Sequence, residues 1–255
     1  MRVRIGGLVL LFAVAGCGGA ETPERATLSV YAASSMTDAF GEMEPVFERA
    51  HPGVDVAVTY AGSQVLRLQI EQGAAADVFV SANEEHMQAL EAAGLVEESR
   101  VFVHNELVII VPPDNPAGIE SLSDLAEASR IVLGTVNVPV GEYARQVLRL
   151  AAPTHGEGFE AMVLSRVVSE ESNVRLARAK IELGEADAAI VYRTDAGPSD
   201  RVRIVEILRE VNVIADYPIG VLERTEAREL AEAWIELVTS PEGQAVLARH
   251  GFIVE

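Results

Sequence analysis

The chain contains one cysteine, Cys17, in 255 residues. No disulfide can form within it, and thiol catalysis or cysteine-based metal sites are excluded for the folded part. There is one lysine, Lys180, so its positive charge is almost all arginine. Positive charge is scarce overall: the formal net charge is −19, which argues against nucleic acid as a partner. No Gly-x-Ser-x-Gly elbow occurs, and His51, His86, His104, His155 and His250 show no metal-ligand spacing. There is no internal repeat and no low-complexity tract. The only leader-like apolar run, residues 5–15, is too short to span a bilayer as a permanent helix.

Arg2 and Arg4 precede that run, and small residues follow it up to Cys17. The pattern predicts a signal peptide over residues 1–16. Val14-Ala15-Gly16-Cys17 resembles a bacterial lipobox, which implies cleavage before Cys17 and a lipid on it. Residues 17–26 then form a short polar tether. An apolar share of 49% supplies enough material for one large or two smaller cores.

Strand-like and helix-like patterns alternate along the remainder. Strands are expected at 28–32, 54–60, 77–81, 107–111, 131–134, 162–168, 188–192, 202–207 and 218–222. Helices are expected at 35–50, 63–72, 84–93, 141–151, 173–183, 226–239 and 241–249. Alternation of this kind predicts an α/β fold with mostly parallel sheets flanked by helices. Pro45 should kink or interrupt the first helix. The apolar strand at 107–111 and the breaker cluster Pro112-Pro113-Asp114-Asn115-Pro116 mark where the chain leaves a first lobe. Residues 27–105 and 217–255 form lobe 1 in this division, and 106–216 form lobe 2.

Four strand ends run into helix starts that carry small or polar residues. Ser34-Ser35 opens the first, with Asp38 placed as in a capping box. Gly62-Ser63 opens the second, with Ser63 as cap. Pro139 suits the first turn of the third, where its missing N–H costs nothing and the next N–H groups, Val140 among them, stay unpaired. Ser172 or Asn173 can cap the fourth, which begins with Val174. Tyr192, closing an apolar strand, adds a phenolic donor. One helix start is worth roughly 0.3–1 kcal/mol to an anion, and a hydrogen bond to a charged group adds about 1.5–3 kcal/mol. Burying a bare ion costs more than any one of these. A single cap is therefore an ordinary cap, whereas four converging starts with hydroxyls make an anion site. Asp77, Glu84-Glu85, Glu97-Glu98 and Trp234 read as structural or solvated positions.

Val30-Tyr31-Ala32-Ala33-Ser34-Ser35-Met36-Thr37-Asp38-Ala39 resembles the opening motif of bacterial molybdate-binding proteins of ABC importers. Ala61-Gly62-Ser63, the stretch from Gln69 through Gly73 and Asp77 to Ala82, Val138-Pro139-Val140-Gly141-Glu142-Tyr143-Ala144, Asn173-Val174-Arg175, Ala189-Ile190-Val191-Tyr192 and Gly251-Phe252 are similar as well. The resemblance covers nearly all of the chain after the leader, in order. It implies a two-lobed periplasmic-binding-protein type II fold with an oxyanion in the interlobe cleft. It also implies ligand contacts from Ser35, Ser63, Val140, Val174 and Tyr192, with Ser34 and Asn173 as secondary candidates. Val140, Gln64 and Ala75 depart mildly from the family pattern.

The implied protein is an extracytoplasmic, lipid-anchored monomer. It hands molybdate or tungstate to a membrane permease, uses no cofactor, holds no bare cation and catalyses nothing. All the proposed contacts are neutral donors, which suits a fully ionised tetrahedral dianion. Phosphate, partly protonated near neutrality, would favour a carboxylate acceptor. Sulfate, thiosulfate or another small oxyanion is the alternative ligand. A serine hydrolase using Ser34, Ser35 or Ser63 is a further alternative, and it would need a histidine base that no comparable motif supplies.

Overall fold

A computed structural model describes residues 25–197 and 199–254. The expected leader, the lipidation site Cys17 and the tether up to residue 24 lie outside the described residues. Within them, nine strands and nine α-helices alternate as an α/β fold. The strands are β1 (Ala26–Ala33), β2 (Val54–Ala61), β3 (Val78–Val80), β4 (Val96–Val111), β5 (Ile131–Gly134), β6 (Val167–Glu171), β7 (Ala188–Tyr192), β8 (Arg203–Val205) and β9 (Ile214–Leu222). The helices are α1 (Thr37–Ala50), α2 (Ser63–Glu71), α3 (Glu84–Ala92), α4 (Pro139–His155), α5 (Phe159–Leu164), α6 (Val174–Glu182), α7 (Arg193–Ala196), α8 (Arg228–Thr239) and α9 (Pro241–Arg249).

The strands follow the order β2-β1-β3-β9-β4-β7-β5-β6, with β8 also on β4. Parallel pairs form the flanks: β1 with β2 and β3, and β5 with β6 and β7. The long strands β4 and β9 run antiparallel to their neighbours and to each other. β4 joins the two halves. Its residues up to Glu106 pair with β9, and from Leu107 onward it pairs with β7 and then β8. The change of partner therefore falls ahead of the proline cluster, which only ends the strand.

The first helix buries Phe40, Met43 and Phe47, a spacing that lays one apolar stripe against the sheet. Trp234 of α8 packs edge-on against Phe40 and Phe47, with ring centroids 5.3 and 5.5 Å apart, so it is a core residue. Of the two outcomes expected at Pro45, a kink or an interruption, the interruption does not occur: α1 continues through it. The proline lies on the exposed face, where water can satisfy the carbonyl one turn back. The strand expected at 162–168 is also corrected. Phe159 and Val163, four residues apart, are both buried in α5, which packs on α4, and strand structure begins only at Val167. An apolar run of this length does not by itself distinguish a short helix from a strand. Asp77 is structural: Oδ2 accepts from the Ser29 N–H at 2.7 Å, and Oδ1 accepts from the Thr225 hydroxyl.

Candidate functional site

Four of the strand-to-helix junctions meet at the centre of the molecule. β1 ends at Ala33 and passes through a 3-10 turn, Ser34–Met36, before α1. β2 ends at Ala61, Gly62 precedes α2, and Ser63 is the first helical residue. On the other side, Val138 precedes Pro139 at the start of α4, and Asn173 precedes Val174 at the start of α6. The four helix starts surround one cavity. Ser34, Ser35, Ser63, Val140, Asn173, Val174 and Tyr192, all singled out in the sequence, line it.

The cavity volume is about 10 Å³, room for roughly one water-sized body. That is far below the roughly 300–1,000 Å³ of most organic-ligand sites, so a sugar or an amino acid does not fit. Among the described residues, no charged side chain lines the cavity. Attraction for an anion would come from the aligned peptide dipoles and from N–H groups that the helices leave without an acceptor.

The capping roles expected of two serines are not those observed. Asp38 does not close a capping box with Ser35: neither the 3-10 turn nor α1 has a side-chain cap. The Asp38 carboxylate instead accepts from both terminal nitrogens of Arg175, at 2.9 and 3.3 Å. A two-pronged guanidinium outbids a backbone amide for a carboxylate. Ser35 Oγ lies 2.8 Å from the Tyr217 hydroxyl. Ser63 does not cap α2 either; Gly62 occupies the cap position without a side-chain bond. Ser63 Oγ accepts the Ala82 N–H at 3.0 Å, which leaves its own proton free for the cavity. Of the two alternatives at α6, Asn173 is the cap: its Oδ1 accepts from the Leu176 N–H at 3.1 Å.

Tyr192 is buried at the end of β7, and its hydroxyl has no hydrogen-bond partner among the described residues. Burial above all, with Tyr217 and Tyr143 nearby, holds its pKa well above the ordinary phenol value, so it stays a proton donor. A buried, unpaired hydroxyl at a cavity wall is costly unless a ligand completes it.

The two walls also touch directly. Besides Asp38–Arg175, Gln64 Nε2 donates to the Ser172 carbonyl at 2.8 Å, and Asn83 Nδ2 to Glu142 at 3.4 Å. His86 Nε2 lies 3.1 Å from the Asn137 carbonyl. That acceptor requires a proton on Nε2, and desolvation lowers the His86 pKa, so the ring is neutral with Nδ1 unpaired. Gly62 is required where the walls meet, because a Cβ there would lie 2.4 Å from the Ser172 carbonyl oxygen. These contacts draw the cavity closed.

Sequence reading missed the wall contacts of His86 and Gln64, and it missed Tyr217, Asn105 and Thr194 behind Ser35. Tyr217 lies 182 residues from Ser35 along the chain, and no local pattern marks it. The Ser35 and Ser63 hydroxyls find a tyrosine and a backbone amide as partners.

Residues 28–253 match the family described as bacterial extracellular solute-binding proteins. The molybdate-binding protein ModA of Mycobacterium tuberculosis is 34% identical over 260 residues, covering 96% of each chain. The periplasmic molybdate-binding protein of Azotobacter vinelandii superposes with a TM-score of 0.76 at 18% identity, over 89% of this chain and 99% of that one. The sulfate-binding protein SubI of M. tuberculosis superposes with a TM-score of 0.80 at 17% identity, over 89% and 86%. At such identities the two structures share the fold with this chain, and the fold alone does not choose between their ligands.

Proposed function

Because the chain belongs to the bacterial extracellular solute-binding protein family, we propose that it captures molybdate outside the cytoplasm and delivers it to an ABC importer. The observation that carries this reading is the uncharged cavity where four helix starts, the Ser35 and Ser63 hydroxyls and the unpaired Tyr192 hydroxyl converge. Val140 and Val174 would contribute backbone N–H groups, with Ser34 and Asn173 at the edge of the shell. Each of these is a neutral donor, and no carboxylate among the described residues lines the cavity. A dianion without protons satisfies such a set fully. Tungstate, with the same charge and shape, would bind as well. The identity to a molybdate-binding relative along its whole length favours molybdenum over sulfur as the central atom.

Residues 27–105 with 217–255, and residues 106–216, act in this reading as two lobes that close on the ion through β4 and β9. The protein works as a monomer, performs no chemistry, and is held at the membrane by a lipid on Cys17. The mass of the mature protein tests the anchor: a diacylated N-terminal cysteine is expected, and an unmodified one refutes it. No helix of the described residues is long and apolar enough to cross a membrane.

Sulfate is the second reading, because a set of neutral donors suits any fully ionised tetrahedral dianion. Calorimetric titration separates the two. Tight binding of molybdate with weak or absent binding of sulfate is expected, and equal or tighter sulfate binding overturns the molybdate reading.

A further inference from the structure

We propose that Tyr217, backed by Asn105, is a positioning residue that turns the Ser35 proton into the cleft and so disfavours protonated anions there. The inference rests on the oxyanion reading above and deepens it.

The distance between Ser35 and Tyr217 leaves the donor open, and the neighbouring bonds assign it. Asn105 is fully buried on β4, and its Oδ1 accepts the Glu106 N–H at 3.0 Å. A backbone N–H can only donate, so the oxygen of this amide must face it. The Asn105 nitrogen therefore faces the other way, reaching Thr194 Oγ1 at 2.8 Å and the Tyr217 hydroxyl at 3.4 Å. Asn105 thus offers Tyr217 only protons. The proton of Tyr217 then has Ser35 Oγ as its acceptor, at 2.8 Å. With an oxygen lone pair of Ser35 filled in this way, the proton of Ser35 is left for the cavity.

Packing holds the relay in place. Tyr217 is fully buried, edge-on between Tyr192 and Phe252, with ring centroids 5.8 and 5.5 Å away. Ser63 reaches the same state by a shorter route, since the Ala82 N–H fills its oxygen. Both serines consequently turn their own proton to the ligand, with one oxygen lone pair each already engaged. An anion that still carries a proton, such as hydrogen phosphate, finds fewer acceptors for it there and no carboxylate on the described lining, which disfavours it. The selectivity resides partly in a residue that does not line the cavity.

The test is a double-substitution cycle on the purified chain, titrated with molybdate and with inorganic phosphate at one pH. Tyr217→Phe keeps the ring and removes the relay. Ser35 Oγ is then free to accept as well as donate. Molybdate affinity should fall about tenfold, while phosphate affinity holds or rises, so the molybdate-to-phosphate ratio narrows. In a Ser35→Ala background, Tyr217→Phe should cost no further molybdate affinity. An unchanged ratio, or an equal loss with and without Ser35, overturns the inference and makes Tyr217 a packing residue.

Asn105→Asp is the isosteric second variant. It reverses the relay by turning Tyr217 away from Ser35, and its loss should likewise depend on the presence of Ser35. If the unaltered chain binds sulfate in place of molybdate, the molybdate reading fails alone, and the same cycle is read with sulfate against phosphate. If it binds no oxyanion, both readings fail.

Discussion

In the proposed reading, the two walls of the cleft reach for an anion by different chemical means. The first wall, from β1, β2 and the helices that follow, presents side-chain hydroxyls, Ser35 and Ser63, each with its oxygen already engaged. The second wall, at the starts of α4 and α6, presents the first turns of two helices whose leading residues are Val140 and Val174. Side-chain chemistry is exposed to mutation. A backbone N–H is present in every residue except proline. The comparison teaches that residue identity should matter strongly on the first wall and little on the second. It also accounts for a valine at position 140, where the family resemblance leads one to expect alanine.

The largest effect should come from the hydroxyls. Ser35→Ala, Ser63→Ala and Tyr192→Phe should each lower molybdate affinity by about tenfold to a hundredfold in calorimetric titration. If all three bind as the unaltered chain does, the contrast between the walls collapses and the site lies elsewhere.

A smaller effect concerns stability and sharpens the contrast in another way. The second wall is backed by Asp195, whose carboxylate is buried without a hydrogen-bond partner among the described residues. Burial pushes its pKa up to about 7, against the pull of Arg175 and Arg178. The unfolded chain would release this proton near the ordinary aspartate value of 3.8. Between those values the folded state binds more protons than the unfolded one. Stability from this group is therefore highest at low pH and falls as pH rises towards 7, by up to about 1.4 kcal/mol per unit. Melting curves from pH 5 to 8 should show Asp195→Asn flattening this decline. An unchanged slope would mean that Asp195 is ionised throughout.

The smallest effect is expected at the contact between the walls. Asp38 and Arg175 are partly exposed, with side chains 32% and 26% accessible, so solvent weakens their attraction. Arg175→Gln should lower affinity by no more than about fivefold, through faster release, and the difference should shrink with added salt. Stopped-flow release of bound molybdate measures it. A hundredfold loss would mean that Arg175 acts on the ion directly.

How much of this was legible in the chain follows the range of the interactions. The helix starts at Gly62, Pro139 and Asn173 are marked by residues whose backbone preferences act over three or four positions, and the structure has helices beginning there. Their convergence was not visible in any one of them; the family resemblance supplied that expectation. Local rules failed where a distant partner competed. Asp38 leaves its expected cap for an arginine 137 residues away, and Ser35 bonds a tyrosine on β9. The run at 162–168 failed for another reason, because periodicity over so few residues fits a helix turn and a strand equally.

The contrast between the walls meets its most direct test at Val174, the first residue of α6. Asn173 before it is extended, with φ −160° and ψ 166°, which a following proline tolerates. Proline is also favoured at the first helical position. Val174→Pro therefore removes one N–H and keeps the helix start, whereas Val174→Ala changes the side chain and keeps the N–H. Molybdate titration of the two variants should find alanine within about threefold of the unaltered chain and proline weakened by about tenfold or more. Equal binding by both would contradict the claim that the second wall holds the anion through its backbone.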